Sequence, residues 1–229
     1  MDKLHVIEMF KAVLFDLDNT LIDFMKMKHR CSEAAVSAMI EAGLPLKEDV
    51  ALKKLFDMYE EYGIEDQKIF DNFLKKELGK IDYKILAAGI VAYRRIKDGQ
   101  LTTYPHVRKT LIELKTKGLK LGIVSDAPVM QGWLRLAALD LVDFFDVVVT
   151  LDDTGQAKPH KMPFEKAISV LNLKPEDILF VGDNPKRDIL GAKQVGMKTA
   201  LAKYGQVFKT KEKADYTLKK ITDILEVVK

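Results

Sequence analysis

The strongest constraint on the fold is how the short apolar runs of this chain end. Val13-Leu14-Phe15 runs into Asp16-Leu17-Asp18, and Leu121 to Val124 runs into Ser125-Asp126. Val147 to Leu151 runs into Asp152-Asp153, and Ile178 to Val181 into Gly182-Asp183-Asn184. Apolar runs this short, without alternation, fit strands buried on both faces. Helical patterns separate them from Tyr104 onward. Val107, Leu111 and Leu114 mark a buried face before Gly118, Phe164 to Leu171 and Ile189 to Val195 follow, and Ile221 to Val228 closes the chain. Thr199 to Ala202 reads as the last core strand. Strands alternating with helices predict an α/β fold, a parallel sheet covered on both faces. All strand carboxyl ends of such a sheet lie at one edge, where ligands bind.

The alternation is interrupted once. From about Lys26 to Gly99 no strand pattern is found, and helical patterns follow one another. The first stops at Gly43-Leu44-Pro45, with glycine past the end and proline behind it. The second carries Val50, Leu55, Phe56, Tyr59 and Tyr62 and stops at Gly63; the third carries Ile69, Phe70, Phe73, Leu74 and Leu78 and stops at Gly79. The fourth opens at Asp82, a residue suited to accept from unpaired first-turn N–H groups. The expected division is therefore a core of residues 1–23 and 100–229 with a helical insertion of residues 24–99. Segments 22–27 and 98–104 are the two connections. Placed after the first strand, the insertion is expected to cap the binding edge and to select the substrate.

Composition excludes several classes of function. Lys+Arg 37 against Asp+Glu 34 leaves a net charge of +3, too balanced for binding nucleic acid through phosphate neutralisation. No run approaches the roughly 18 apolar residues that suggest a membrane helix. The segment Met1 to Lys11 carries Asp2 and Glu8 and does not read as a signal peptide. The single cysteine, Cys31, lies among Ala34, Ala35, Ala38 and Met39 and reads as a packed core thiol. A cytoplasmic protein, monomer or homodimer, is expected, with no nucleic-acid or membrane partner.

Acids gathered at one sheet edge repel and raise one another's pKa unless a cation sits among them. An all-oxygen ligand set selects a hard ion such as Mg²⁺, which readily takes substrate phosphate as a further ligand. Any one of these acids alone is more simply a turn former or a helix cap, and Asp152 and Asp153 suit that role. Several strand ends alike, with Ser125 and Lys158 between them, favour a site.

These residues resemble the haloacid dehalogenase-like hydrolases, in the branch with a helical cap inserted after the first motif. Asp16-Leu17-Asp18-Asn19-Thr20-Leu21 is similar to the first motif of that superfamily, Ser125 to the second, Lys158-Pro159 to the third, and Gly182-Asp183-Asn184-Pro185-Lys186-Arg187-Asp188 to the fourth. The resemblance implies a Rossmann-like parallel-sheet core and a Mg²⁺-dependent phosphatase. Asp16 is implied as nucleophile, and Asp18 as general acid and base. Ser125 and Lys158, with Leu17, Asp18 and Asp126, are implied around the phosphate. Asp16, Asp183 and the Asp18 main-chain carbonyl are implied as metal ligands, and Thr20, Asn184 and Asp188 as supporting residues. An acid at position 18 favours phosphoester over carbon–halogen cleavage, because halide leaves without a proton.

A departure follows the third motif, where His160-Lys161-Met162-Pro163 brings a second lysine. Lys158 is taken as the phosphate-facing residue, with Lys161 the alternative and His160 a loop residue. Lys186 and Arg187 are read as solvated charges at a helix start. In the insertion, Phe24, Tyr59, Tyr62 and Phe70 are candidate lining residues, each more simply helix packing, and Arg30 is a candidate contact for a substrate anion. A closed cavity implies a small substrate: a phosphorylated two- or three-carbon acid, a sugar phosphate or a nucleoside monophosphate. A phosphomutase, a 2-haloacid dehalogenase and a non-catalytic binding protein are the alternatives.

Overall fold

A computed structural model describes residues 10–207 and 210–228. The expectation about the N-terminal segment falls mainly on residues 1–9, outside the described residues. In chain order the elements are β1 (Ala12–Phe15), α1 (Phe24–Glu41), α2 (Glu48–Tyr62), α3 (Ile69–Leu78), α4 (Tyr83–Gln100), α5 (Val107–Thr116), β2 (Lys120–Val124), α6 (Val129–Ala138), β3 (Val147–Val149), α7 (Leu151–Thr154), α8 (Lys161–Leu171), β4 (Ile178–Gly182), α9 (Leu190–Gln194), β5 (Lys198–Ala202), β6 (Tyr216–Leu218) and α10 (Ile224–Val227). They divide into two compact units, Met1–Asp23 with Thr102–Lys229, and Phe24–Leu101. Among the described residues no helix is long and apolar enough to cross a membrane.

The first unit is a parallel sheet in the order β3-β2-β1-β4-β5-β6. This is the Rossmann-like order, with the chain reversing direction of progress beside β1. Every residue of β1 and β4 is buried, which is why their sequences show no alternation. Leu14, Val124, Phe164, Phe180 and Ala192 pack together on the sheet, with the Phe164 and Phe180 rings edge to face at 5.0 Å.

Several details differ from the sequence expectation. β5 is not the last strand, for β6 pairs with it in parallel. β6 has three residues, one of them buried, so it offers almost no apolar run. β3 stops at Val149, and Leu151 already belongs to α7. α6 gave no clear helical pattern because Met130, Trp133 and Leu134 are apolar yet exposed. The helix expected over Ile189 to Val195 is preceded by a wide π-helical turn, Pro185–Ile189.

In the helical unit the Asp82 carboxylate caps α4, accepting from the Lys84 and Ile85 N–H groups at 3.0 and 3.2 Å. Met39, Leu55, Phe73 and Leu74 form its core, and Tyr59 and Phe70 belong to that same cluster. Phe24 is buried, Tyr62 is exposed, and Arg30 is an exposed side chain paired with Glu33. Cys31 is buried, with its sulfur 3.5 Å from that of Met27. The first unit sends the chain out and takes it back through one short antiparallel ladder. Ile22 bridges Thr103, Asp23 N–H donates to the Thr102 carbonyl at 3.0 Å, and Tyr104 N–H donates to the Leu21 carbonyl at 3.0 Å.

Candidate active site

Strand register assembles the site. Phe15 of β1 stands beside Ile123 of β2 and Val181 of β4. The next residues on these strands, Asp16, then Ser125 after Val124, then Asp183 after Gly182, therefore emerge at one edge. The ladder continues into the loops. Asp16 N–H donates to the Val181 carbonyl at 2.8 Å and Ser125 N–H to the Val149 carbonyl at 2.9 Å. Asp16, Ser125, Lys158, Asp183 and Asp188 are all buried there.

Lys158 sits at the centre. Its ammonium donates to Asp16 Oδ1 at 2.6 Å and to the Val124 carbonyl at 2.9 Å, and lies 2.7 Å from Asp188 Oδ1. Its own N–H donates to Asp126 Oδ1 at 2.9 Å. The Asp126 carboxylate thus tethers the lysine's backbone, and Asp126 Oδ2 also accepts from Arg187 at 3.2 Å. Burial alone would push the Lys158 pKa down. Asp16, Asp188 and Asp126 outweigh it and raise the value, so the ammonium stays protonated.

The fourth strand end is shaped by its own side chains. Asn184 Oδ1 accepts from the N–H groups of Lys186 and Arg187, capping the π-helical turn. Asp188 Oδ2 reaches back to accept from Asn184 N–H at 2.9 Å. A Cβ on Gly182 would lie 2.4 Å from that Asp188 oxygen, so this position has room for glycine alone. Asp188 thereby holds both Lys158 and the loop that carries Asp183.

Carboxylate oxygens of Asp16, Asp183 and Asp188 lie within 4.8 Å of one another. Against these acids stand the buried Lys158 and, at the rim, Arg187. Burial first, then Asp16 and Asp188, push the Asp183 carboxyl up to about 9, and Asp188 is raised chiefly by burial. Asp183 Oδ1 is buried with no hydrogen-bond partner among the described residues. A buried acceptor left open beside two further acids fits a divalent cation with oxygen ligands.

Residues 13–202 match the haloacid dehalogenase-like hydrolase family. The chain belongs to that family. Its similarity to named relatives extends over nearly the whole length. The glyceraldehyde 3-phosphate phosphatase of Pyrococcus furiosus is 38% identical, covering 95% of this chain and 92% of the relative. Pyrophosphatase PpaX of Bacillus thuringiensis is 34% identical, covering 95% of each. The crystal structure of a phosphatase of this family from Thermococcus onnurineus superposes with a TM-score of 0.72 at 28% identity, covering 96% of this chain and 98% of that one.

Other residues of this hydrolase that the sequence singled out have structural work. Lys161 is exposed on α8 and pairs with Glu165, leaving Lys158 as the lysine brought to Asp16. His160 Nδ1 accepts from Met162 N–H at the start of α8. Asp153 accepts from the Thr150 N–H and hydroxyl, and Asp152 from Val129 N–H at 2.6 Å, so both are helix-start residues. Ser125 Oγ accepts from Ala127 N–H at 3.2 Å, leaving its own hydrogen to donate. Thr20 is buried, and its carbonyl accepts from the Tyr204 hydroxyl at 2.8 Å. Leu17 is a core side chain.

Sequence reasoning missed Arg135 and undervalued Arg187. Arg135 is buried on α6, and its Nη1 lies 2.5 Å from Asp18 Oδ2. An arginine at i+3 from Gly132 and one residue before Leu136 in an apolar helix was the available signal. Arg187 pairs with Asp126, and Asp16 and Asp188 are among the charges that hold its proton.

Proposed function

We propose that this hydrolase is a phosphatase that cleaves a small phosphorylated metabolite through an aspartyl-phosphate on Asp16. A three-carbon sugar phosphate of the glyceraldehyde 3-phosphate kind is the first substrate to test. The observation that carries the reading is the buried Asp16 carboxylate at the end of β1, held by the Lys158 ammonium at 2.6 Å with a second acid, Asp18, two residues on. The names of the relatives support the same chemistry.

In this reading an Asp16 carboxylate oxygen attacks phosphorus. A P–O bond to the enzyme forms as the ester P–O bond breaks. Asp18 gives its proton to the departing alkoxide, then takes one from the water that hydrolyses the acyl phosphate, which returns both acids to their starting state. The Ser125 hydroxyl and the N–H groups of Leu17, Asp18 and Asp126 donate to the phosphoryl oxygens. Lys158, fixed by Asp126, Asp188 and the Val124 carbonyl, needs little rearrangement to balance charge that develops on those oxygens. Thr20, Asn184 and Asp188 support the two loops. Asp16, Asp183 and the Asp18 main-chain carbonyl would hold Mg²⁺, which when bound neutralises negative charge on phosphate and carboxylate oxygens. The helical unit serves as the substrate-selecting cap, and the enzyme works in the cytoplasm as a monomer or homodimer.

The test is release of inorganic phosphate from a panel of esters with Mg²⁺: glyceraldehyde 3-phosphate, phosphoglycolate, hexose phosphates and nucleoside monophosphates. Turnover that EDTA stops and Mg²⁺ restores is expected. Phosphate release from none of them, or conversion of a sugar phosphate to its isomer without free phosphate, would refute the reading.

A further inference from the structure

We propose that Arg135 is a positioning residue for Asp18, the ion pair between them fixing the rotation of the general acid; this rests on the phosphatase reading above. The helix that carries Arg135 is itself anchored. The first N–H of α6, on Val129, donates to Asp152, and Gly132 faces the Thr150 methyl, where a Cβ would stand 3.4 Å away. Gly132, Arg135 and Leu136 form the buried side of α6, while Met130, Trp133 and Leu134 are exposed. An arginine on the inner face of a short apolar helix is costly unless a carboxylate meets it.

Asp18 is that carboxylate, at 2.5 Å. The two partners are unequally placed: the arginine side chain is 5% exposed and that of Asp18 21%. The guanidinium is therefore the more deeply buried member, and Asp18 the one that keeps part of its side chain open to solvent. Asp18 must deliver a proton to the alkoxide and recover one from water; with Oδ2 held on the guanidinium the transferred proton is carried on Oδ1, and both transfers need the carboxyl held in one orientation. A planar guanidinium on a packed helix supplies direction as well as charge, which a flexible ammonium does less well.

The experiment compares two substrates. Glycerol phosphate has an alkoxide leaving group that needs a proton, and p-nitrophenyl phosphate has one that leaves without it. Arg135→Met is expected to lose about 10- to 100-fold in kcat on the alkyl ester, a fraction of what a general acid supplies, and much less on p-nitrophenyl phosphate. Arg135→Lys should recover part of the alkyl-ester loss. Arg135→Met in an Asp18→Asn background should slow the alkyl ester no further than Asp18→Asn does alone. Equal losses on both substrates, additive losses in the double variant, or faster turnover in Arg135→Met would overturn the assignment. Should Arg135→Met fail to fold by circular dichroism, Arg135→Lys and the charge-neutral double variant carry the test by the same ratios. Wild-type protein that releases phosphate from neither these two esters nor any member of the panel above would instead refute the phosphatase reading, and Asp18→Asn losses equal on both esters would refute the role of Asp18 as acid.

Discussion

Stripping divalent ions from this protein leaves Asp183 with an electrostatic problem that the structure lets us size. Burial, then Asp16 and Asp188, hold its carboxyl at about 9, so at pH 7 the metal-free protein keeps a proton there. Each pKa unit is worth about 1.4 kcal/mol, so ionising Asp183 at pH 7 costs about 3 kcal/mol. A cation that needs the carboxylate must displace that proton. Mg²⁺ binding should therefore release about one proton per site, and its apparent affinity should rise about tenfold per pH unit up to about pH 9. The sign for folding is opposite without metal. A carboxyl whose folded value lies above its unfolded value stabilises at low pH, and that contribution is lost as pH rises toward 9. Titration calorimetry of EDTA-treated protein with MgCl₂, in two buffers of different ionisation enthalpy, measures the proton count. Asp183→Asn should abolish the Mg²⁺-induced rise in melting temperature and leave the metal-free melting temperature unchanged or higher. No proton release between pH 6 and pH 8, together with wild-type Mg²⁺ binding by Asp183→Asn, would refute the reasoning.

Asp16→Asn should reduce turnover below detection in a phosphate-release assay while circular dichroism stays native, because Lys158 keeps Asp188 as a partner. Gly205→Ala puts a Cβ 1.6 Å from the Asn19 carbonyl oxygen, a backbone atom between Asp18 and Thr20. It should cost about 1–3 kcal/mol in denaturant unfolding and also lower kcat, whereas Gly99→Ala, whose added carbon meets nothing within 4 Å beyond its own helix turn among the described residues, should be neutral or stabilising. The Asp146 carboxyl is pushed up by burial, but the Leu121 N–H and Lys115 outweigh this and hold it below its ordinary value. Its stabilising contribution is present above the unfolded value of about 4 and is lost as pH falls through the lower folded value. The melting-temperature gap between wild type and Asp146→Asn should accordingly narrow between pH 6 and pH 3.

The parts of this fold visible in the sequence are those where burial dictates composition. β1 and β4, buried throughout, announce themselves as unbroken apolar runs, and the acids that follow them emerge where parallel register requires. Asp82 showed its helix start because its carboxylate has one local task. What stayed hidden depends on long-range geometry. Arg135 and Asp18 are 117 residues apart, and no local pattern marks such a pair. The sequence favoured Lys158 with Lys161 as the alternative, and the start of α8 at Lys161 is what turns the second lysine away to Glu165. β6 is too short and too open at the sheet edge to leave a periodic trace.

The ladder joining Leu21, Ile22 and Asp23 to Thr102, Thr103 and Tyr104 has a consequence for how such enzymes diversify. Exit and entry stand side by side, bonded to each other within the first unit. Whatever segment is spliced in at this doorway can be lengthened, exchanged or trimmed to a hairpin without altering any strand register. The sheet edge and the inserted helices can thus change on separate stretches of one gene.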